Sequence, residues 1–451
     1  MSGTRTQPAD ALLTTSASDQ GWFGQPKGLS TLFFTEMWER LSYYGMRALL
    51  VLYLVAPAER GGMGLSAASA ATIYGWYTAL AYAVSLPGGL IADRWLGQYR
   101  AVLIGGCVIV LGHLSLALPT KAMFFPGLAL IIIGTGLLKP NITSLVGSLY
   151  DQEDKRRDGG FSIFYLGVNV GAMLAPLICG TLGQEYGWHW GFGAAGVGMT
   201  FGVLQYWFGR RRLEPALERL KAQRAAEAQA GSKASWDLSK TEWKRLVVIA
   251  ILFVFAAVFW AAFEQAGSSL NLFADKFTRL TFFGRKFPST WFQSLNPVYI
   301  ILFAPLFTWM WAALGHRQPS SPAKFTFGLL LAGLGFLLLV PGSQHALNGG
   351  LVSPLWLCGV YLLNTWGELC LSPVALSMVT KLAPPKLLGT IMGFWYLSNA
   401  AGNKLSGWIA SYFDSLPLPR LFGYTALMCL GAGVVLLFLI RLLKRMMGTT
   451  R

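Results

Sequence analysis

From Leu29 onward the chain is a succession of apolar stretches separated by short polar interruptions. AVLIGGCVIVLGHLSLALP from Ala101 and LLLAGLGFLLLVPG from Leu329 show the pattern. A helix of about 20 apolar residues crosses a hydrocarbon core of about 30 Å. About twelve spans of that length fall near residues 29–56, 66–92, 99–119, 122–149, 159–183, 188–209, 245–272, 291–314, 324–341, 354–383, 386–413 and 421–443. The pattern predicts an all-α integral membrane protein. Residues 1–28 are polar, rich in Ser, Thr and Ala, and lack an apolar segment, which predicts a cytosolic tail and not a signal peptide.

The longest polar interruption, residues 210–244, divides six spans (29–209) from six (245–443), and 444–451 closes the chain as a short tail. It contains LERLKAQRAAEAQ, whose composition predicts a solvated connector helix. The two halves echo one another. FYLGVNVG at Phe164–Gly171 in the fifth span resembles WYLSNAAG at Trp395–Gly402 in the eleventh. Lys139-Pro140 and Ser372-Pro373 place a proline inside the fourth and tenth spans. Parallel six-helix repeats about an axis normal to the membrane describe the major facilitator architecture.

Composition changes the picture little. Of 451 residues 54% are hydrophobic and 12% charged, about half the charged fraction of a soluble domain. The net charge of +16 would suit nucleic acid, but its location argues for none. Arg210, Arg211 and Arg212 with seven further Lys or Arg up to Arg245 lie in the central segment, and Arg441, Lys444, Arg445 and Arg451 close the chain. Basic loops beside apolar spans follow the positive-inside rule, so both termini are expected in the cytosol. The loop with Arg279, Arg285 and Lys286 falls on the opposite side, against the rule. Five single cysteines and four scattered histidines offer no disulfide framework, haem attachment or metal-ligand spacing.

The informative residues are charges where a span should have none. Glu36, Glu39, Arg40 and Arg47 all lie in the first span, and at about 100° per residue Glu36, Arg40, Tyr43 and Arg47 share one narrow face. Glu39 and Tyr44 flank it. Each lone charge at a bilayer centre costs at least about 2.5–3.5 kcal/mol on insertion scales, so the stripe must face a wet interior and neutralise itself. Lys139, Glu264 and Glu368 add ionisable groups from spans four, seven and ten. Together they predict a dipolar cavity, with Arg40, Arg47 and Lys139 on the first half and Glu368 on the second. A ligand with a carboxylate at one end and an ammonium at the other matches it. Salt bridges that only clamp helices are the plainer reading, weakened because desolvation makes such clamps poor stabilisers.

EMWERLSYYG at Glu36–Gly45, GGLIADRWLG at Gly88–Gly97, GLLKPN, FSIFYLGVNVGA at Phe161–Ala172 and GELCLSPV together resemble the signatures of the proton-dependent oligopeptide transporter (POT) family of the major facilitator superfamily. Leu41 stands where that family's first-helix motif usually has Phe. The resemblance covers nearly all the chain beyond the first residues. It implies twelve helices in two six-helix bundles, because the central segment has no apolar run for the two extra helices of many bacterial members.

What the resemblance implies is a proton-coupled symporter that imports di- and tripeptides by alternating access, with protons as coupling ion and no other cofactor. It implies a multi-pass protein of the cell's inner membrane, working as a monomer. Arg40, Arg47 and Lys139 would surround the peptide carboxylate and Glu368 its amino group. Tyr43, Tyr44, Tyr82, Asn169 and Asn296 would contact the peptide backbone, and Trp395 would shape a side-chain pocket; Tyr77 lies near Tyr82 on the same span and competes for its role. Glu36, Glu39, Arg40 and Glu264 would couple protons. Lys139 with Glu368, and Arg47 with Glu264, would be bridges closing the cytosolic and external sides in turn. A drug or sugar antiporter would lack the paired EMWER and GELCLSP motifs, and a membrane enzyme would need a nucleophile, base or metal constellation that the spacing does not supply.

Overall fold

The computed structural model describes residues 21–151, 153–229, 238–282, 284–384 and 387–448. The helices run in the order α1 (Gly28–Val55), α2 (Ala67–Ala83), α3 (Ser85–Ile91), α4 (Gln98–Ala117), α5 (Lys121–Ser148), α6 (Arg157–Ala175), α7 (Trp188–Phe208) and α8 (Arg210–Gln229). They continue as α9 (Lys240–Phe263), α10 (Ser269–Phe277), α11 (Leu295–Leu314), α12 (Ser321–Leu347), α13 (Pro354–Leu382), α14 (Leu388–Ala410) and α15 (Leu418–Met447). With α2–α3 and α9–α10 each taken as one broken span and α8 as the connector, twelve spans result. Among the described residues, seven continuous helical segments are long and apolar enough to cross a membrane. The first span is not one of them, because its four charges interrupt every window of sufficient length.

Observed ends depart from the expected ones by a few residues. The tail expected over 1–28 falls mostly on residues 1–20, outside the described residues, and α1 begins at Gly28. The seventh span starts at Lys240, where Ser239 and Glu242 form a reciprocal capping box. The twelfth runs on to Met447, into the tail expected from residue 444. One feature had no sequence signal: a two-residue hairpin, β1 (Thr281–Phe282) with β2 (Arg285–Lys286), follows α10.

The breaks have local causes. Pro87 cannot donate to Ala83, and the second span is interrupted at Val84 between α2 and α3. The fifth span continues past α6 through two π-helical turns, Pro176–Gly180 and Leu182–Tyr186. Pro140 and Pro373 sit inside α5 and α13 and each removes one ladder hydrogen bond.

In the first half α1 packs along α6 and α7, and α4 along α5 and α7; in the second, α12 packs along α13 and α15, and α9 along α14. The halves meet where α2 lies against α14 and α6 against α11. These are spans two with eleven and five with eight, which a two-fold relation between six-span repeats exchanges with one another. The α2–α14 crossing is close enough that a Cβ on Gly407 would lie 2.5 Å from the Gly75 Cα and 2.6 Å from the Ala71 carbonyl oxygen. Small residues at such crossings let backbones touch, which is how helices associate in a medium as apolar as their own side chains.

The connector helix belongs to the first half. Leu213 and Ala216 are fully buried, and Arg219 donates to the Leu149 carbonyl at 2.6 Å and pairs with Asp151 at 3.4 Å. Beside it, Arg156 ties the loop after α5 to the chain's start by donating to Gly24 O at 2.9 Å. The Arg156 guanidinium, hydrogen-bonded to Asp154, holds that carboxyl below its ordinary range. These contacts define the linker side of the molecule; α1 and α9 carry the chain from it to the far side.

Gly407→Leu is expected to abolish the monodisperse folded peak in detergent size-exclusion chromatography, since backbone atoms on α2 cannot yield. Gly431→Ala, whose Cβ would meet nothing within 4 Å, is expected to leave it unchanged.

Candidate functional site

The charged stripe of α1 neutralises itself as the helix geometry predicts. Arg40 Nε lies 3.0 Å from Glu36 Oε1 and 2.5 Å from Glu39 Oε2, and all three side chains are buried. The Arg40 guanidinium also lies over the Tyr43 ring at 5.4 Å. Its Nη2 is buried with no hydrogen-bond partner among the described residues. Buried donors are seldom left unmade, and each costs about 1–3 kcal/mol, so an anion is the natural complement of this atom.

About two turns further along, α1 meets the other half. Arg47 Nη2 pairs with Glu264 Oε2 at 2.9 Å, with both side chains 6% exposed. Tyr74 of α2 completes the junction: its hydroxyl accepts from Arg47 Nε at 2.8 Å and faces Glu264 Oε2 at 3.3 Å. The seventh span is broken at this point. After Phe263 the chain takes a 3-10 turn, Glu264–Gly267, before α10 resumes, and Tyr74 occupies the space that a Cβ at Gly267 would need. Such a turn within a helix often marks a hinge. Around this ion pair the far side is closed by further bonds between halves. Asn271 Nδ2 donates to Ala48 O at 2.9 Å. Gln184 donates to Ser289 Oγ at 2.9 Å and accepts from Thr290 Oγ1 at 2.9 Å, and Ser294 donates to Met173 O at 2.8 Å.

The linker side is different. A cavity of about 1550 Å³ lies between α6, α11, α12, α13 and α15. Its inner wall includes Tyr165 and Asn169 from the first half and Glu368 from the second, and its outer wall reaches Lys381 and Lys444. Asn296 donates to Glu368 Oε2 and to Thr365 Oγ1, each at 3.0 Å, which fixes the carboxylate's orientation. Lys139 makes no ion pair with Glu368 among the described residues; its ammonium lies 3.6 Å from the Tyr82 ring centre and 6.0 Å from that of Tyr396. It is within electrostatic range of Arg40, Glu36, Glu39 and Glu264.

Of the residues expected to bind peptide, Asn169 and Glu368 line this cavity. Arg40 and Arg47 are buried and held by glutamates of their surroundings, because without a ligand a buried cation keeps a protein partner. Tyr43 stacks on Tyr77 at 6.3 Å, Tyr44 lies beneath Arg47 at 5.4 Å, and Trp395 packs on Phe253 at 5.6 Å. Of the two tyrosines expected to compete, Tyr82 faces Lys139 and Tyr77 is 2% exposed. Sequence reasoning missed Tyr74, Thr365, Tyr396 and Gln184. Tyr74 stands three residues before Tyr77, a spacing that would have placed it on the same face; Gln184 had no distinguishing signal.

These features have close relatives. The POT family model matches residues 99–216 and 214–422. The chain belongs to the POT family. The peptide transporter YePEPT of Yersinia enterocolitica is 39% identical, over 97% of this chain and 98% of the relative. The di-/tripeptide transporter of Lactococcus lactis subsp. cremoris is 37% identical, over 96% of this chain and 99% of its own. A crystal structure of the peptide transporter POT in complex with sulfate superposes with a TM-score of 0.87 at 41% identity, covering 95% of this chain and 97% of that one. The chain is thus a multi-pass membrane protein of a transporter family, with the major facilitator fold of two six-span halves.

Removal of the Tyr74 hydroxyl leaves Arg47 Nε without its acceptor, whereas the Tyr77 hydroxyl is buried without a partner. Tyr74→Phe is therefore expected to lower thermal stability in detergent by the equivalent of about 1–3 kcal/mol. Tyr77→Phe is expected to be neutral or stabilising in the same melt.

Proposed function

We propose that this POT-family member is a proton-coupled symporter importing di- and tripeptides by alternating access. The observation that carries the reading is one-sided access. A cavity open to the linker side reaches Glu368, while Arg47, Tyr74 and Glu264 join the halves on the far side. The basic linker and the basic end of α15 support a cytosolic linker side, in a protein of the inner membrane. The conformation is then inward-facing, and the monomer contains every group the cycle needs. Protons are the coupling ion, and no other cofactor is required.

A peptide's two constant features are its termini. Arg40, with an unpartnered buried nitrogen, and Lys139 suit the carboxylate, and Glu368, oriented by Asn296, suits the amino group. Tyr43, Tyr44, Tyr82 and Asn169 offer hydrogen bonds to the backbone between, and Arg47 joins the carboxylate's partners when Glu264 releases it. Binding energy from fixed ends with loose, aromatic surroundings accommodates variable side chains. Coupling follows from competition. Glu36 and Glu39 hold the Arg40 guanidinium, a peptide carboxylate competes with them for it, and a proton taken up by either acid releases the cation to the peptide. By linkage each ligand then alters the other's affinity equally. Protonation of Glu264 would free Arg47 and open the far side. Lys139 and Glu368 would pair across the halves when the cytosolic side closes.

Uptake of labelled dialanine into proteoliposomes tests the reading. Accumulation is expected only under an inward proton gradient, and gradient-independent accumulation or none would overturn it. Glu36→Gln and Glu39→Gln are each expected to abolish concentrative uptake; full accumulation by both would remove these residues from the coupling path. Dialanine N-acetylated and C-amidated at once is expected to compete at least about tenfold more weakly than dialanine, about 1.4 kcal/mol or more. Equal competition would exclude recognition by charge at both ends.

A further inference from the structure

The cavity's outer half has a charge character that terminal recognition does not use. Glu368 is the one acidic residue among those lining the cavity. From Glu368 to Lys381 on α13 is thirteen residues, about 20 Å at 1.5 Å per residue. Over that distance the ionisable side chains on the wall are cationic or basic: Lys324, Lys381, Lys444 and His316. Lys381 and Lys444 stand near helix ends, where the positive-inside rule alone would put them. Lys324 also stands near a helix end, but it differs in being buried. It is nine-tenths buried in the first turn of α12, and its ammonium is pinned by Gln318 Oε1 at 2.9 Å and lies over the Trp311 ring at 4.3 Å. Neither contact neutralises it, and both stop it from swinging out to water. Lys381 lies within electrostatic range of it. No ion pair involves Lys324, Lys381 or Lys444 among the described residues.

We infer that this cytosolic half of the cavity is a cationic vestibule, with Lys324 as its fixed charge, that speeds passage of peptides with acidic side chains and slows those with lysine or arginine. A cleft with low-dielectric walls of one sign focuses its field, changing the local concentration of charged solutes on the order of tenfold. A dipeptide bound at Glu368 must cross this field to reach the cytosol. Its own zwitterionic ends cancel, so the side chain decides the sign. This selection acts on the path and not at the terminal-binding groups, and it works by repulsion as much as attraction. The inference rests on the peptide-transport reading.

The test uses the full chain in vesicles of zwitterionic lipid, with a fixed proton gradient and the membrane potential clamped at zero. Initial uptake of labelled Ala-Ala, Ala-Glu and Ala-Lys is measured for wild type, Lys324→Gln, Lys324→Arg and Lys324→Gln with Lys381→Gln. The Ala-Glu to Ala-Lys rate ratio is expected to fall about fivefold or more in the double variant and partly in Lys324→Gln. Lys324→Arg is expected to keep it, and Ala-Ala uptake to stay within about twofold throughout. In wild type the ratio is also expected to shrink as salt rises from about 0.01 M to 0.15 M, where the screening length drops from about 30 to 8 Å. That measurement decides the matter should a variant fail to fold. A ratio unchanged by both variants and salt, with Ala-Ala still carried, overturns the vestibule alone. Failure of wild type to carry Ala-Ala overturns the peptide reading and the vestibule with it.

Discussion

A buried ion pair between two halves of a membrane protein is the constraint around which this molecule is arranged. Arg47 belongs to α1 and Glu264 to the break between α9 and α10, and both side chains are buried. Removing one member of such a pair strands a charge and costs about 3–5 kcal/mol, although the intact pair contributes little net stability. The pair is therefore poor glue and a good switch. Tyr74, bonded to both residues, makes the junction depend on all three.

The rest of the fold lets that switch act. Among the described residues the halves meet mainly along α2 with α14 and α6 with α11, with smaller contacts between Pro176–Gly180 and Ser289–Ser294 and between α1 and α10. At Gly75 and Gly407 the backbones touch, giving a pivot with little to rearrange. The far side is then held by a few polar bonds around Gln184, Asn271 and Ser294, which exchange for water at small cost when the halves rock apart. The connector helix is fastened to the first half by Leu213, Ala216 and Arg219.

How much of this the sequence showed follows from what makes a signal. Twelve spans were legible because a bilayer demands an apolar run of fixed length, and the α1 stripe because charge inside such a run is costly and rare. Arg47 with Glu264 could be expected on resemblance, and the geometry shows them joined in this conformation. Tyr74 was legible only through its spacing from Tyr77, since a tyrosine in a span has no cost that marks it. The break at Glu264–Gly267 falls in the polar run EQAGSS, where Glu264 stood out as a buried carboxylate and not as the end of a helix. The glutamate partners of Arg40 and Arg47 were legible as a self-neutralising stripe and an expected bridge, but which of the alternative partners holds each cation here was not. Which partner a buried cation has depends on conformational state, and a sequence has no state.

The most direct test of the lock is a distance distribution. Spin labels at positions 59 and 285, both exposed on the far side, report the separation of the halves by pulsed electron paramagnetic resonance in a variant whose native cysteines are replaced. With Glu264 intact at neutral pH, a single short distance is predicted. Glu264→Gln strands Arg47, and about 3–5 kcal/mol suffices to turn a population ratio of roughly 100 to 1 over, so a longer distance should become the major one. An unchanged short distance in Glu264→Gln would contradict the account, because the far side would then be closed by something other than this ion pair.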